Sequence, residues 1–545
     1  MIGRRVCQFM VAAAGLVGFV CVVTLAGFIS RNYTSLGRLY KPIGRCLHGV
    51  LDLNDPIPFS KLQPGKVTIG LAFSGGGSRA AYLAAAVLRE IHASNLALEI
   101  DNKPGQETNL LSQVDAVSAV SGGSLAAAYF VVNKEKLLGS RAQSSGWDEY
   151  LSKMAISYRR QEWYGRAILN PILWSKLIFT NYNRGLLARD DYDNTLFQGA
   201  TKTIADLPDR PALYLNSFDV ANHVRFVFSK HYIDTTLYQP SDWWGNLSAP
   251  QEITSENDLD FCRIDPKSVK IADAVYASSA FPVAYPNLAM NHCGSKILFQ
   301  GSLIFLADGG LADNSGLITL LTQVKAGMDP GTKGALLLVL YVDASTGRIN
   351  TDGSQFQQQG IEHTYAWNDT AIGHGIASIE SANDLVQDLS WKFTENTGVV
   401  TDQLNLNWPI ELKAKPKVRS GTSKASWDRS FESGELALRP CVIRLGLRDL
   451  ADPNFQMSYS QFLDDKDARL QRLLADNGIK ELGPYVPVPD LPKRLQNIKT
   501  DFALTEADRH TLDLAAYLLV NGKLVGDLRA WAAVANSVSM GKGLN

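Results

Sequence analysis

Apolar and polar positions follow the same local order twice in the first quarter of the chain. An apolar, partly β-branched run leads into a glycine-rich turn and then into helically spaced alanine and leucine, at residues 66–73, 74–78 and 79–93 and again at residues 114–120, 121–124 and 125–132. Each set predicts a strand, a tight turn and a helix. Two such units favour an α/β fold with a parallel sheet.

Further strands are predicted where short apolar runs are bounded by turn residues, at 212–216, 224–229, 335–342 and 441–446. The run 335–342 is almost unbroken, which is typical of a central parallel strand. Near the end of the chain, Thr505 and Asp508 have the spacing of a helix start, and Asn521-Gly522 has the chemistry of a helix end.

The N-terminal segment 6–29 carries no charged side chain. As a helix at ~1.5 Å per residue it would extend about 36 Å, enough to cross a bilayer. We therefore expect a single-pass membrane anchor. A cleaved signal peptide is the alternative, although its apolar region is usually only ~7–15 residues; a lipoprotein cysteine at Cys21 is disfavoured by the bulky Val20 before it. Positive charges flank the segment on both sides, so the side of the membrane stays open.

Composition narrows the classes of function. The chain of 545 residues has 46% hydrophobic and 20% charged residues, as folded globular proteins do, and its length suggests about two to four structural units. Its formal net charge of -1 gives no basic excess to attract nucleic acid. Six cysteines without a CxxC pair predict neither a zinc site nor a disulfide framework, although Cys262 and Cys293 could pair in an oxidising compartment.

Two glycine-rich turns could carry chemistry. Ser121 lies between a strand and a helix, and the small residues around it allow the sharp turn that exposes a nucleophilic hydroxyl. The segment Ser74-Gly75-Gly76-Gly77-Ser78 would present backbone N–H groups at a helix N-terminus, where they can bind an anion. It has neither a Walker lysine nor the third glycine of a dinucleotide fingerprint.

A third candidate for the site, beside the two glycine-rich turns, is a carboxylate. Asp308 follows the apolar run 303–306 and precedes Gly309 and Gly310, so we expect it at a strand end. Taken alone, Asp-Gly-Gly is more often a surface turn. Within hydrogen-bond reach of Ser121, however, the carboxylate could act as its general base.

These motifs, in this order, resemble the patatin-like phospholipase family. The resemblance covers roughly residues 67–343 and is carried by four segments: Gly75 to Arg79, Ser118 to Ser124, the Ser-Ser-Ala-Phe-Pro stretch within 277–282, and Asp308 to Gly310. Ala80 and Ala119 stand where the family usually has glycine. Because alanine is the smallest alternative, these replacements question the catalytic rate more than the fold.

The resemblance implies a three-layer α/β/α fold with a mainly parallel central sheet and a lipid acyl hydrolase of the phospholipase A or lysophospholipase type. It implies Ser121 as nucleophile, Asp308 as base, Gly75, Gly76 and Gly77 as the oxyanion hole, and supporting roles for Arg79, Gly123, Gly309 and Gly310. Arg79 would support the glycine loop or bind a negative group of the substrate. The implied dyad needs no metal or other cofactor, and the implied partner is membrane lipid; protein partners are not indicated.

Three alternatives remain open. Ser121, Asp308 and either His363 or His374 have the chain order of an α/β-hydrolase triad. A catalytically silent, membrane-anchored lipid-binding or scaffold protein would keep the fold. His223 and His231 could be metal ligands, but no third ligand has suitable spacing.

We divide the chain into four parts: residues 1–32 as anchor, 33–65 as connecting segment, 66–345 as catalytic domain and 346–545 as a C-terminal extension that could pack on that domain.

Overall fold

The structure is a computed structural model and describes residues 43–48, 67–96, 109–139, 144–156, 170, 172–173, 176, 182–199, 202–220, 224–230, 233–234, 262–282, 285–291, 303–326, 336–346, 441–450, 463–464, 466–479, 491–498 and 504–528. Several predicted features lie outside these residues: the segment 6–29, Cys293, His223, His231, His363 and His374. Within the described residues, no helix is long and apolar enough to cross a membrane.

Eleven strands are defined in the described residues: β1 Cys46–His48, β2 Val67–Phe73, β3 Val114–Val120, β4 Ala212–Asp219, β5 Val224–Phe228, β6 Ile233–Asp234, β7 Cys262–Ile264, β8 Leu288–Asn291, β9 Leu303–Asp308, β10 Leu336–Asp343 and β11 Cys441–Gly446. Strands β1 and β7 form a small antiparallel pair, and the other nine form one sheet.

The sheet is mixed. Its parallel part has the order β11-β10-β2-β3-β4, and every residue of β3 is buried. Strands β5, β6, β8 and β9 are antiparallel to their neighbours. Strands β5 and β6 extend the sheet beyond β4, whereas β9 continues along the edge of β4 that β3 occupies, with β8 beside it. The expectation of an α/β fold is therefore confirmed, with a parallel centre and an antiparallel flank.

The helices of the described residues are α1 Gly77–Ala93, α2 Gly122–Val132, α3 Lys134–Leu138, α4 Ser144–Met154, α5 Arg184–Leu196, α6 Ile271–Ser278, α7 Leu317–Ala326, α8 Leu447–Leu450, α9 Ala468–Asp476, α10 Leu491–Asn497 and α11 Glu506–Tyr517. Helices α1 and α2 pack on each other and on one face of the sheet. Helix α7 packs on the opposite face, where Gly70 of β2 leaves room for the side chain of Leu320.

The predicted boundaries need two corrections. Helices α1 and α2 begin at Gly77 and Gly122, two and three residues earlier than predicted, because the glycines belong to the first turn of each helix. The predicted end of α11 at Asn521-Gly522 is wrong. The helix continues there as a π-helical segment, Leu518–Leu524, whose apolar side chains are buried and in which Asn521 accepts a hydrogen bond from Ser94. Tertiary packing overrides the local stop signal.

The predicted start of α11 is confirmed. The Asp508 N–H donates to Thr505 Oγ1, and the Thr505 N–H donates to Asp508 Oδ2, so the two residues form a capping box.

The described elements after residue 440 pack on the same sheet and helix layer. Strand β11 pairs in parallel with β10, and α11 packs on α1. Helix α1 therefore lies between the sheet and the C-terminal helices.

Candidate active site

Ser121 sits at the turn between β3 and α2 in a conformation that side chains rarely adopt, with φ 50° and ψ −124°. Non-glycine residues in such regions carry about 1–3 kcal/mol of strain and are found mainly at functional sites. The next residue, Gly122, is packed so tightly that a Cβ there would overlap the carbonyl oxygen of Gly77. The turn therefore holds Ser121 directly beside the glycine loop.

The Ser121 hydroxyl donates to Asp308 Oδ2 over 2.6 Å. The sheet explains why residues 187 apart meet. Strand β3 pairs in parallel with β4 as far as Asn216, and β9 pairs in antiparallel with β4 from Ser217 onward. The two strands run toward each other along one edge of β4, so the residues at their ends face one another. Asp308 does end a strand, as predicted, but that strand is antiparallel to β4.

Asp308 is almost completely buried, with 1% of its surface exposed. Its Oδ1 accepts the Gly310 N–H over 2.8 Å, and its own N–H donates to the carbonyl of Ala280 over 3.0 Å. Burial raises the pKa of the carboxyl from 3.8 to about 6, and the hydrogen bonds from Ser121 and Gly310 oppose that rise. A carboxylate with this pKa can accept a proton near neutral pH.

The glycine loop is held from two directions. The Ser74 N–H donates to Val342 at the end of β10, and the Gly75 N–H donates to the Asn314 carbonyl over 3.0 Å. The prediction of Gly75 as an oxyanion donor is therefore corrected, because its N–H is already hydrogen-bonded to Asn314. Gly76 has φ 134°, which favours glycine, and Gly77 begins α1. In the part of the chain that the structure describes, the N–H groups of Gly76 and Gly77 donate to no other group.

The predicted supporting glycines also lie at the dyad. Gly123 packs against the carbonyl of Ser74, and Gly309 packs against the carbonyl of Asn216. Gly310 supplies the N–H that binds Asp308. Close backbone contacts of this kind leave no space for larger residues.

Arg79 is buried, with 6% of its surface exposed, and its Nη1 donates to the carbonyl of Ile498 over 2.8 Å. Of the two roles open in the sequence, this contact favours support of the loop. Its partner lies in the C-terminal part of the chain, just after α10.

Four buried polar residues without a predicted role surround the turn at Ser121, here called the elbow: Ser124, Asn216, Ser278 and Asn314. Ser278 Oγ accepts the Ser121 N–H over 3.1 Å. In the sequence, Ser278 is marked by its place in the Ser-Ser-Ala-Phe-Pro stretch.

Two histidines have described surroundings, and both contact groups outside the dyad. His92 stacks on Trp147 at the opposite end of α1 from the glycine loop, and His510 lies beside the Asp476 carbonyl. Across the described residues, no group of three or more His, Cys, Asp or Glu side chains could hold a metal ion.

The geometry agrees with what a family comparison finds. A model of the family described as patatin-like phospholipase matches residues 71–321, which include the glycine loop, Ser121 and Asp308. Residues 71–321 are a patatin-like phospholipase domain.

No curated protein matches this chain in sequence. Among solved structures, human GIVD cytosolic phospholipase A2 with methyl gamma-linolenyl fluorophosphonate and terbium chloride is 12% identical, with a TM-score of 0.41, and the match covers 87% of this chain and 60% of that one. The same human protein without those additions has 11% identity, a TM-score of 0.39 and coverages of 86% and 63%. VipD from Legionella pneumophila has 14% identity, a TM-score of 0.23 and 92% coverage of both chains. The chain thus spans about three fifths of the length of the human structures.

Proposed function

We propose that this protein hydrolyses carboxylic esters of membrane lipids, as a phospholipase A or lysophospholipase does, with Ser121 as nucleophile and Asp308 as general base. The observation that carries the proposal is the 2.6 Å hydrogen bond from Ser121 Oγ to Asp308 Oδ2. Because the hydroxyl and the carboxylate are in direct contact, a histidine is not needed between them.

In the first step, Ser121 Oγ attacks the ester carbonyl carbon while its proton passes to Asp308 Oδ2. The carbonyl oxygen becomes an oxyanion, which accepts hydrogen bonds from the N–H groups of Gly76 and Gly77 at the N-terminus of α1. When the tetrahedral intermediate collapses, Asp308 returns the proton to the departing alcohol, and an acyl group stays on Ser121.

A water molecule then attacks the acyl-enzyme. Asp308 accepts a proton from the water, the second tetrahedral intermediate uses the same two N–H groups, and its collapse frees the fatty acid and returns the proton to Ser121 Oγ. Removing one oxyanion donor in enzymes of this kind costs about 100- to 1000-fold in rate.

We further propose that residues 6–29 anchor the enzyme in the membrane that holds its substrate. The absence of charge over this segment supports the proposal. The full chain should remain with membranes after alkaline carbonate extraction, whereas a chain starting at Asn32 should be released. Release of the full chain would refute the anchor without affecting the proposed chemistry.

The direct test compares wild type with Ser121→Ala and Asp308→Asn. Hydrolysis of a short-chain p-nitrophenyl ester and of a phospholipid is measured alongside labelling by a fluorophosphonate. We expect both substitutions to abolish hydrolysis, because one removes the nucleophile and the other removes the base, and we expect Ser121→Ala to abolish labelling.

Ser112→Ala is the matched control. Ser112 is exposed, and within the part of the chain that the structure describes its hydroxyl bonds only to the Asn109 carbonyl, so this variant should keep wild-type activity. Hydrolysis that persists in folded Ser121→Ala would refute the proposed mechanism. Wild-type protein that is folded, inactive on both substrates and unlabelled would favour a silent lipid-binding protein.

A further inference from the structure

The hydroxyl of Ser278 lies at the meeting point of three elements around the nucleophile. Ser278 ends α6 and is completely buried. Its Oγ is 3.1 Å from the Ser121 N, 2.7 Å from Ser124 Oγ and 2.5 Å from the carbonyl oxygen of Asn216. The Ser278 side chain therefore joins the elbow, the first turn of α2 and Asn216, the last residue of β4 that pairs with β3.

The proton positions follow from the chemistry of the partners. A backbone N–H can only donate and a carbonyl can only accept, so Ser278 Oγ accepts from Ser121 and donates its single proton to Asn216. The Ser124 hydroxyl must then be the donor to Ser278. With one donated and two accepted bonds, the Ser278 hydroxyl is fully satisfied, which is the condition under which a buried polar group orders its surroundings.

The same end of α6 also holds the other half of the dyad. The Asp308 N–H donates to the Ala280 carbonyl over 3.0 Å, and Ser217, which pairs with Asp308 in the sheet, donates through its hydroxyl to the carbonyls of Ala277 and Ala307. Residues 277–280 thus contact both the strand end that carries Ser121 and the strand end that carries Asp308. The distance between Ser121 and Asp308 is therefore fixed by their contacts with one segment.

Ser121 needs such a restraint. At φ 50° and ψ −124° the Ser121 backbone is strained. Strained residues persist only where several contacts from the surrounding structure hold them in that conformation. The bond to Ser278 holds the N–H of the strained residue itself. Without that bond the elbow can relax, and a shift of about 1 Å in the reacting oxygen is enough to lower a rate about 100-fold.

We propose that Ser278 is a positioning residue, whose hydroxyl holds Ser121 in the strained conformation that aims its Oγ at both Asp308 and the substrate. This inference rests on the proposed role of Ser121 as nucleophile. It gives the Ser-Ser-Ala-Phe-Pro stretch a physical role: a clamp on both halves of the dyad.

The chain offers a closely matched control. Ser279 is the next residue and is also buried, but among the described residues its hydroxyl bonds only to the Val275 and Tyr276 carbonyls of its own helix. The experiment measures kcat and KM on the p-nitrophenyl ester, the rate constant of fluorophosphonate labelling, and urea unfolding for wild type, Ser278→Ala and Ser279→Ala.

We expect Ser278→Ala to lower kcat and the labelling rate constant about 10- to 100-fold, with KM unchanged within about twofold. Ser279→Ala should leave all three within about twofold of wild type. Urea unfolding should show a larger loss of stability for Ser278→Ala, because removal of the Ser278 hydroxyl leaves buried partners in other elements unsatisfied, so labelling of folded protein is the deciding measurement. Ser124→Ala, which leaves the bond between Ser278 and Ser121 in place, should lose less activity than Ser278→Ala.

Equal labelling rates for folded Ser278→Ala and Ser279→Ala would overturn the inference. If Ser278→Ala does not fold, the same criterion applies to Ser278→Cys against Ser279→Cys, because a thiol is similar in size and a weaker hydrogen-bonding group. Failure of the proposed function itself is a different result, since wild type would then be unlabelled.

Discussion

At the scale of single residues, the proposed ester hydrolysis depends on how its surroundings shift the pKa of Asp308. The carboxyl is buried, and from the described residues its oxygens receive two hydrogen bonds, donated by Ser121 and Gly310. Water would solvate the charge better than this environment does, so burial makes the ionised form less favourable and the pKa rises to about 6. A carboxylate in this state is a stronger base than an exposed aspartate.

The raised pKa predicts the pH dependence of the activity. Asp308 accepts the Ser121 proton only when ionised, so kcat/KM should fall as the pH decreases through about 6, whereas an ordinary carboxyl with pKa 3.8 would keep activity down to about pH 4. The measurement is kcat/KM on a substrate without titratable groups between pH 4.5 and 8.5. A profile that stays flat down to pH 4.5 would contradict the assignment of Asp308 as base.

At the scale of elements, the site depends on how closely two helix starts approach each other. Helix α1 begins at the glycine loop, helix α2 begins just after Ser121, and the two are in contact where Gly122 lies against the Gly77 carbonyl. The approach places the N–H groups of the glycine loop beside Ser121. A larger residue at this contact would separate the elements that make up the site.

Gly122→Ala should therefore lower activity strongly and reduce the free energy of unfolding by about 1–3 kcal/mol, because its Cβ has no space. Gly146→Ala in α4 is the control. A Cβ there would lie 3.8 Å from Leu137, an ordinary contact, so we expect neutral or slightly improved stability. Urea unfolding and ester hydrolysis test both variants, and similar behaviour of the two would contradict the close approach.

At the scale of the whole molecule, the family domain and the C-terminal part of the chain share buried charges. Glu90 of α1 is 1% exposed and pairs with Arg89 and with Arg469 of α9, and Arg89 also pairs with Asp513 of α11. Burial raises the pKa of Glu90, and the two arginines oppose that rise. Together with the bond from Arg79 to Ile498, this cluster attaches the C-terminal helices to the helix that begins at the glycine loop.

This cluster predicts unequal effects of removing its two arginines. Arg89→Met removes a positive charge that pairs with the buried carboxylates of Glu90 and Asp513. We expect a loss of about 3 kcal/mol or more in the free energy of unfolding. Arg469→Met should cost about 1 kcal/mol or less, because the Arg469 side chain is 37% exposed and Glu90 keeps Arg89. Equal losses in urea unfolding would show that the cluster is not the attachment described.

The sequence by itself determined the two strand–turn–helix units, the places of Ser121 and Asp308 at strand ends, and the capping box of α11. These features are local. Alternation and helical spacing report which face of an element is buried, and glycine, serine and aspartate at turns act on their own backbone. The family motifs are built from such segments, so they could be found without the fold.

Only the tertiary structure decided the features that join distant segments. These include the antiparallel direction of β9, the occupied N–H of Gly75, the bond from Arg79 to Ile498 and the hydroxyl of Ser278 beneath the elbow. The same holds for the continuation of α11 through Asn521-Gly522, where buried packing outweighs the local stop signal. Each depends on a partner brought close by the packing of the sheet and helices, and local sequence patterns carry no information about such partners.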